Sequence, residues 1–426
     1  MTAPRDRQPA WLAEGLAHLW LPYAQMKTVV PPLAVARTEG CRIVLEDGRA
    51  LIDGVASWWT ACHGYNDPHI QGAVRLQLET MPHVMFAGLA HEQAALLATR
   101  LARMLPGDLD HVFFSESGSV AVEIALKMAV QYWLNRGRAR TKFLAFKGGY
   151  HGDTLAAMAV SDPDDGMHRP LGHYLPHHVI ADLPRNDASA AALAQLLDRH
   201  GEELAAIIVE PLVQGAGGMI FHEPHVLRSL RAAAQRYDLL LICDEIFTGF
   251  GRTGTLFACE QADIVPDIIT LSKALTGGTL ALAATIARRH VFEAFRSDDP
   301  AAALMHGPTF MANALACAAA NASLDLFERE PRLEQVAAIA NALECGLAPC
   351  VALPGVKDVR IKGAIGVVEL YSLRDVDALR RRFVEEGVWI RPFGNVVYLT
   401  PPFTISPTEL AQLTGAIERV LRAADW

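Results

Sequence analysis

The sequence predicts an α/β fold in which a mainly parallel sheet is followed by a smaller α+β unit. Between about residues 107 and 287, short apolar runs alternate with helical stretches. Several of the runs are apolar on both faces, as strands covered by helices on each side must be. After about residue 330 the pattern changes to charge-rich helices with short strands between them. These observations predict an α/β layer and a separate α+β domain.

Taken in order, the apolar runs are predicted as the strands of the sheet: HVFFS (111–115), KFLAFK (142–147), AAIIVEP (205–211), LLLICDE (239–245), DIITLS (267–272) and LALAATIA (280–287). Residues 119–136 and 223–237 are predicted as crossover helices between them. Near the C-terminus, RLEQVAAIANALECGL, DVDALRRRFVEEG and PTELAQLTGAIERVLRAAD are predicted helices, and AIGVVEL and NVVYLTPP predicted strands.

Composition restricts the classes of function. The 426 residues are 51% hydrophobic and 20% charged, which is typical of a compact globular protein. A net charge of −9 without a Lys/Arg block makes nucleic acid an unexpected partner. Seven scattered cysteines without a C-x-x-C pair indicate reduced, buried thiols rather than a zinc or redox site. The charged, proline-containing start and the lack of a long uncharged apolar stretch predict a cytoplasmic protein without a membrane span.

Lys273 ends the apolar run DIITLS and is followed by Thr276, Gly277 and Gly278. A lysine in this position is most often a snorkelling residue at a sheet edge. The preceding Ser272 and the tight turn after it favour a second interpretation, because they bring backbone close to a ligand. A lysine amine beside a low-dielectric pocket loses its proton more readily and becomes a nucleophile toward carbonyls, so Schiff-base chemistry is a candidate.

Asp244 lies at the end of the strand LLLICDE, where open α/β sheets bind their ligands, although a turn or N-cap carboxylate is the ordinary interpretation. The following GFGRTG matches the dinucleotide fingerprint G-x-G-x-x-G. That fingerprint needs a tight strand-to-helix turn, whereas here four residues separate Asp244 from the first glycine and Pro266 interrupts the chain before any long helix. We therefore expect the match to be accidental.

Three other strand or turn ends carry candidate ligand groups. Ser117, Gly118 and Ser119 open a strong helix, whose N-terminus suits a phosphate, although Ser117 alone is explained as an N-cap. Tyr150, in FKGGYHGDT, has the ring to cover a planar cofactor or simply to pack in its loop. Thr309, in MHGPTF, offers a hydroxyl in a turn. The histidine-rich segment 168–178 lacks metal-ligand spacing and is predicted to be a solvated loop.

A Schiff-base lysine, a carboxylate at a strand end, a helix N-terminus and an aromatic ring are together what a pyridoxal phosphate site requires. The order of SGS, GYHGD, EPLVQGAGG, DEIFTGFGRTG, LSKALTGG and GPTF resembles the class III (fold type I) aminotransferases over nearly the whole chain. The resemblance implies a large cofactor domain, residues 57–329, with a mainly parallel seven-stranded sheet. It also implies a small domain formed from both termini, residues 1–56 and 330–426, and a homodimer without a metal ion.

The resemblance also implies roles for individual residues. Lys273, Asp244 and Tyr23 are expected to be catalytic, with Lys273 holding the cofactor and Asp244 its pyridine nitrogen. The cofactor residues implied are Gly118, Ser119, Tyr150, Asp244 and Lys273, together with Pro308 and Thr309 reaching the phosphate from the second subunit. The substrate residues implied are Trp58, Tyr150, Asp153, Lys273, Gly307 and Arg391.

Four further segments resemble the branch of this family that acts in biotin biosynthesis: ASWWTACHGYNDPHI, HVMFAGLAHE, HGPTFMANALACAAANASL and GVWIRPFGNVVYLTPP. They imply transfer of an amino group to 8-amino-7-oxononanoate, with S-adenosylmethionine, or in some relatives lysine, as donor. The guanidinium of Arg391 suits the carboxylate of an oxo-acid, although a structural ion pair is an alternative. Read as a strand, Trp58 and Trp59 point to opposite faces, so at most one faces the site.

Phe247 departs from the family pattern, in which a smaller residue is expected beside the cofactor strand. Other functions stay open from sequence alone. They are another class III ω-aminotransferase acting on diamines or ω-amino acids, an aminomutase, a nicotinamide dehydrogenase that uses GFGRTG, and a binding protein without catalysis. The last is disfavoured because Lys273 and Asp244 are both present.

Overall fold

The computed structural model describes residues 8–164 and 168–423. The strands of this part of the chain, numbered from the N-terminus, are β1 (Val35–Glu39), β2 (Arg42–Leu45), β3 (Ala50–Asp53), β4 (Leu109–Ser115), β5 (Lys142–Phe146), β6 (Val179–Ala181), β7 (Leu204–Val209), β8 (Val213–Gln214), β9 (Ile220–Phe221), β10 (Leu240–Asp244), β11 (Ile268–Leu271), β12 (Ala283–Arg288), β13 (Val356–Lys362), β14 (Ile365–Leu370), β15 (Val388–Trp389) and β16 (Val396–Leu399).

The helices of the described residues are α1 (Ala10–Leu16), α2 (Ala56–Trp59), α3 (Pro68–Thr80), α4 (Glu92–Met104), α5 (Gly118–Asn135), α6 (Leu155–Ala159), α7 (Asp187–His200), α8 (Pro224–Arg236), α9 (Arg289–Glu293), α10 (Ala314–Arg329), α11 (Arg332–Leu347), α12 (Val376–Glu385) and α13 (Pro407–Ala423). Short 3₁₀ turns lie at Arg169–Leu171, Ala258–Ala262, Lys273–Thr276, Pro300–Ala302 and Ala348–Ala352.

The central sheet has seven strands in the order β4-β12-β11-β10-β7-β5-β6. Strand β12 is antiparallel to both of its neighbours, while the pairs from β11 to β6 are parallel. The predicted mainly parallel, seven-stranded sheet is therefore confirmed. Each of the six predicted runs overlaps one of its strands. The seventh, β6, is only three residues long and carries no recognisable apolar run.

Both faces of the sheet are covered, which explains why its strands lack polar alternation. All residues of β7, β10 and β11 are buried. On β10, Leu240 and Ile242 pack in the apolar layer that contains α5, whereas Leu241 and Cys243 pack in the larger layer on the opposite face. Successive strand residues point to opposite faces, so a strand with helices on both sides must be apolar throughout.

Two smaller sheets flank this core. One has the order β1-β2-β3-β15, in which β15 pairs in parallel with β3 and so joins the N-terminal strands to the C-terminal part of the chain. The other is the antiparallel sheet β13-β14-β16. Strands from both chain ends thus share one sheet, while the domain boundaries at residues 56 and 329 stay a prediction.

One helical segment, Arg332–Ala352, is long and apolar enough to cross a membrane by length and composition, with a mean hydropathy of 1.3. It begins as α11, which buries Val336, Ile339 and Leu343 in the core and packs against α13. Core helices of globular proteins have the same length and composition, so this segment is weak evidence for a span.

The strands β10 and β11 are tied together at their N-terminal ends by the buried carboxylate of Asp267. Its Oδ2 accepts hydrogen bonds from the backbone N–H of Leu241 at 2.8 Å and from the Arg231 guanidinium at 2.7 Å. The register that results places Asp244 opposite Thr270. Since the two strands are parallel, Asp244 and the turn that follows β11 lie at the same edge of the sheet.

Candidate active site

A cavity of about 590 Å³ opens at this sheet edge. Five residues that the sequence predicts to bind the cofactor line it together: Gly118, Ser119, Tyr150, Asp244 and Lys273. They come from four segments that are far apart in sequence, and each ends a strand of the central sheet, lies in the loop after one or opens the helix after one. Carboxyl ends of parallel strands meet at one edge, which is why these short segments converge.

Lys273 is the first residue of the 3₁₀ turn after β11, and its backbone is left-handed with φ of 48°. Its Nζ lies 4.4 Å from the centre of the Trp59 ring, at the floor of the cavity. Burial lowers the pKa of Lys273 to about 8, although the carboxylates of Asp244, Glu210 and Asp153 act in the opposite direction. A larger fraction of this amine is therefore neutral near pH 7 than for an exposed lysine, as a nucleophile requires.

Asp244, the last residue of β10, is 4% exposed and is held by three donors. Its Oδ2 lies 2.7 Å from Nδ1 of His151, and its Oδ1 accepts from the Thr270 hydroxyl at 3.1 Å and from the Ile246 N–H at 3.2 Å. Burial disfavours the charged form of His151, but the hydrogen bond and the charge of Asp244 raise the pKa of this imidazole overall. The arrangement fixes a carboxylate that suits a protonated ring nitrogen.

Two buried groups beside Asp244 escaped the sequence analysis, His151 and Glu210. Glu210 accepts hydrogen bonds from the backbone N–H of Tyr150 and of Gly215, each at 2.9 Å, and burial raises its pKa to about 7. Both residues line the cavity. A signal was present, because Glu210 follows the apolar run of β7 as Asp244 ends that of β10.

The opposite end of the cavity is formed by the N-terminus of α5, an 18-residue helix. The Ser117 hydroxyl accepts from the Val120 N–H at 3.4 Å, so its predicted N-cap is present. The Ser119 hydroxyl accepts from the Asp153 N–H at 3.0 Å, and a Cβ on Gly152, whose φ is +124°, would lie 2.3 Å from that hydroxyl. Glycine is needed there, and the resulting close packing leaves the helix N-terminus facing the cavity, where its dipole favours an anion.

A second, outer cleft with about 1250 Å³ of empty space adjoins this cavity and shares Trp59, Tyr150 and Lys273 with it. Of the substrate residues that the resemblance implies, the outer cleft is lined by all except Asp153 and Gly307: Trp58, Tyr150, Lys273 and Arg391. Tyr23, which the resemblance implies to be catalytic, lines it too. Inner cavity and outer cleft thus meet at Lys273.

Arg391 projects into the outer cleft, with its Cζ 4.7 Å from the centre of the Trp58 ring. Among the described residues it forms no ion pair and no side-chain hydrogen bond. The alternative of a structural ion pair therefore finds no support here. Burial and the nearby Arg380 lower the pKa of Arg391, as expected of a cation that lacks a protein counter-charge.

The expectation that only one of Trp58 and Trp59 faces the site is wrong, because both line the outer cleft. Residues 56–59 are not a strand. Their φ values of 46°, 46°, 55° and 73° show that α2 is a left-handed turn rather than an ordinary α-helix, and the Asp53 carboxylate holds it by accepting from the N–H groups of Val55 and Ser57. The alternation of strand side chains does not apply in such a turn.

The prediction of a solvated loop for residues 168–178 is wrong at its first position. His168 is 6% exposed, its Nε2 lies 3.3 Å from Asp153 Oδ1, and its ring stacks on Tyr150 at 5.8 Å between centres. Asp153 also accepts from the hydroxyls of Tyr23 at 2.5 Å and Tyr150 at 3.0 Å. The hydrogen bond from His168 is the largest of the causes that lower the pKa of Asp153, although burial acts against it.

Phe247 points inward, lines the inner cavity and packs on Trp59 with 4.1 Å between ring centres. A Cβ on Gly215 would lie 2.7 Å from the Phe247 ring, so the ring occupies space that only a glycine leaves. Phe247 therefore forms part of the cavity wall, while its departure from the family pattern stays a prediction.

Gly307, Pro308 and Thr309 lie outside both cavities of the single chain. They belong to a loop with an exposed side chain on either side, Met305 and Phe310. Their contribution to the phosphate site of a second subunit stays a prediction. The GFGRTG segment continues in turns and then a five-residue 3₁₀ helix, so its glycines do not open the helix that a dinucleotide site needs.

Comparison with known proteins agrees with this geometry. The family model "Aminotransferase class-III" matches residues 23–421. The adenosylmethionine-8-amino-7-oxononanoate aminotransferase of Mycobacterium leprae is 46% identical over 95% of this chain and 95% of its own length. The crystal structure of the enzyme of that name from Methanocaldococcus jannaschii superposes with a TM-score of 0.93 at 32% identity, covering 97% of this chain and 99% of the other. The crystal structure of an amine transaminase from an uncultivated Pseudomonas species, in its PLP-bound form, superposes with a TM-score of 0.87 at 32% identity. The superposition covers 95% of this chain and 98% of the other.

Proposed function

This chain belongs to the class III aminotransferases, and we propose that it transfers an amino group from S-adenosylmethionine to 8-amino-7-oxononanoate, with pyridoxal 5'-phosphate as cofactor. The product is 7,8-diaminononanoate, an intermediate of biotin synthesis. The observation that carries the proposal is the meeting of a buried lysine amine, a buried carboxylate and an unpaired guanidinium in two adjoining cavities. Relatives with the same name over nearly the whole chain support the choice of substrates.

The residues of the inner cavity fit pyridoxal phosphate. The α5 N-terminus with Gly118 and Ser119 would hold the phosphate, Asp244 the ring nitrogen, and Tyr150 and Ile246 would lie beside the ring. Lys273 would be the attachment point. When bound, the cofactor supplies a carbonyl that accepts an amino group and a ring that withdraws electrons from the reacting carbon.

Side chains of the protein would transfer the proton, hold the ring nitrogen and bind the substrate. Lys273 is placed to move a proton as general base, a contribution worth roughly 10²–10⁴-fold in rate. Asp244, fixed by His151 and Thr270, would keep a ring nitrogen protonated. Arg391 would bind the carboxylate end of the acceptor, because a free guanidinium forms two parallel hydrogen bonds with a carboxylate. Trp58 and Trp59 line the cleft beside Lys273 and would limit the access of water to it.

We further propose a cytoplasmic homodimer. Large apolar side chains are exposed on the single chain, among them Trp20, Leu76, Met85, Met305 and Phe310. Exposed apolar side chains mark an interaction site where they form one contiguous patch, as we propose for the dimer interface. Pro308 and Thr309, next to two of these residues, would complete the phosphate site of the second subunit, with Gly307 beside its substrate.

The test is a donor screen with 8-amino-7-oxononanoate as acceptor and mass-spectrometric detection of 7,8-diaminononanoate. We expect product with S-adenosylmethionine, or with lysine if the donor assignment is wrong. The Lys273→Ala variant is the control and should give none. If neither donor gives product while pyruvate is aminated by a diamine or an ω-amino acid, the chain is another class III ω-aminotransferase. Size-exclusion chromatography with light scattering tests the dimer.

A further inference from the structure

His168 lies behind the wall of the outer cleft rather than in it. Its ring packs against Tyr150 with 24° between the ring planes, and its Nε2 lies within 3.3 Å of Asp153. It is nearly fully buried, in contrast to the exposed His173 of the same loop. Because this buried imidazole stacks on Tyr150 and contacts Asp153, it restricts the positions of both side chains.

The carboxylate of Asp153 accepts three hydrogen bonds from side chains. Tyr150 and His168 contact Oδ1, and Tyr23 contacts Oδ2. A phenol has one proton to donate and two lone pairs to accept with. Because both phenolic protons are directed at Asp153, the oxygens of Tyr23 and Tyr150 present lone pairs to a ligand. Tyr23 and Tyr150 line the outer cleft, so acceptor oxygens next to the Asp153 anion face a ligand at this corner.

We propose that His168 is a positioning residue that holds Asp153 and Tyr150 as acceptors for the amino group next to the reacting ketone of the acceptor substrate. The inference rests on the proposed function. In 8-amino-7-oxononanoate the carbon beside the ketone carries an amine, which such a corner attracts. In S-adenosylmethionine the reacting carbon bears a carboxylate directly, and this corner repels that carboxylate. His168 thus favours one of the two substrates that share the cleft.

Two variants separate the contacts of His168. His168→Phe keeps a flat ring against Tyr150 and removes the donor to Asp153, whereas His168→Gln keeps a donor and removes the ring. His173→Phe is the matched control on the same loop. The protein is studied as holoenzyme in its pyridoxamine form, and the concentration dependence of single-turnover rates gives apparent Kd values for 8-amino-7-oxononanoate and for 7-oxononanoate, which lacks the amine.

For His168→Phe we expect the Kd of the aminoketone to rise by about tenfold or more, since a hydrogen bond to a charged group is lost, while the Kd of the plain ketone changes little. For His168→Gln we expect a smaller rise in the Kd of the aminoketone. His173→Phe should have the Kd values of the unchanged protein. Equal weakening for both ketones, or no change for either, overturns the proposal, because a merely structural residue does not distinguish them.

The crystal structure of His168→Phe gives a readout that does not depend on the substrate. We expect the Asp153 carboxylate to leave the Tyr150 hydroxyl; an Asp153 that stays in place overturns the positioning role. If the unchanged holoenzyme does not prefer the aminoketone to the plain ketone, the proposed substrate is wrong, and the crystal structure still decides the role of His168.

Discussion

The inner cavity and the outer cleft share Lys273 but are built in different ways. The residues of the inner cavity follow strands of one sheet, and Asp244 and Glu210 are almost fully buried. The outer cleft takes Tyr23 and Trp58 from the start of the chain and Arg391 from its end, and Tyr23 is 54% exposed. The central sheet thus positions the residues that we propose to bind the cofactor, and the chain ends supply Trp58 and Arg391, which we propose to bind the substrate.

The largest effect should come from the inner cavity. Lys273→Ala removes the amine that attaches the cofactor and moves the proton, so we expect kcat to fall by about 10²–10⁴-fold or more. Lys357→Ala, an exposed lysine on β13, is the control. Borohydride reduction of the unchanged holoenzyme followed by peptide mapping should place the pyridoxyl label on Lys273. A label on any other lysine would overturn the assignment of the inner cavity.

A change in the outer cleft should act on binding rather than on chemistry. Arg391→Ala removes charged hydrogen bonds worth roughly 1.5–3 kcal/mol, so the KM of the carboxylate-bearing acceptor should rise about 10- to 100-fold while kcat changes less. Steady-state kinetics measure both, with Arg381→Ala, an exposed arginine on α12, as control. If kcat falls as far as in Lys273→Ala, the division between the two regions does not hold.

The smallest effect we expect is a shift in pH dependence. Burial lowers the pKa of Lys273 to about 8, so the amine of the cofactor-free protein loses its proton as pH rises through that value. Attachment of pyridoxal phosphate needs the neutral amine. Its rate, followed by absorbance, should rise about tenfold per pH unit below 8 and level off above it. A rate that keeps rising toward pH 10 would mean that the lysine behaves as an exposed one.

The sequence predicted the inner cavity better than the outer cleft, for a physical reason. Gly118, Tyr150, Asp244 and Lys273 each follow a strand or open a helix, and parallel strands bring such positions to one edge whatever the loops do. All four line one cavity. Glu210 occupies an equivalent position and was passed over, although the same rule would have found it.

The sequence-based predictions are wrong where an unusual backbone conformation or a tertiary contact decides the position of a side chain. Trp58 and Trp59 were assigned to a strand, because nothing in ASWW signals four consecutive left-handed residues. His168 was assigned to solvent because its partners, Tyr150 and Asp153, are close only in the folded chain. Such contacts depend on tertiary packing, which residue spacing does not encode.

The hydrogen bond that the Leu241 N–H donates to Asp267 determines where this protein tolerates insertions and deletions. It fixes the register of β10 against β11. Asp244 lies three residues after Leu241, and Lys273 lies six residues after Asp267. Gaining or losing a single residue within either strand would turn its side chains to the other face and carry the carboxylate or the amine out of the cavity. The length of the segment between the strands, residues 245–266, does not enter into this register. An insertion at an exposed position of this segment, such as Gly254 or Asp263, would leave that register unchanged, so we expect a longer loop there to cost less activity than one extra residue in a strand.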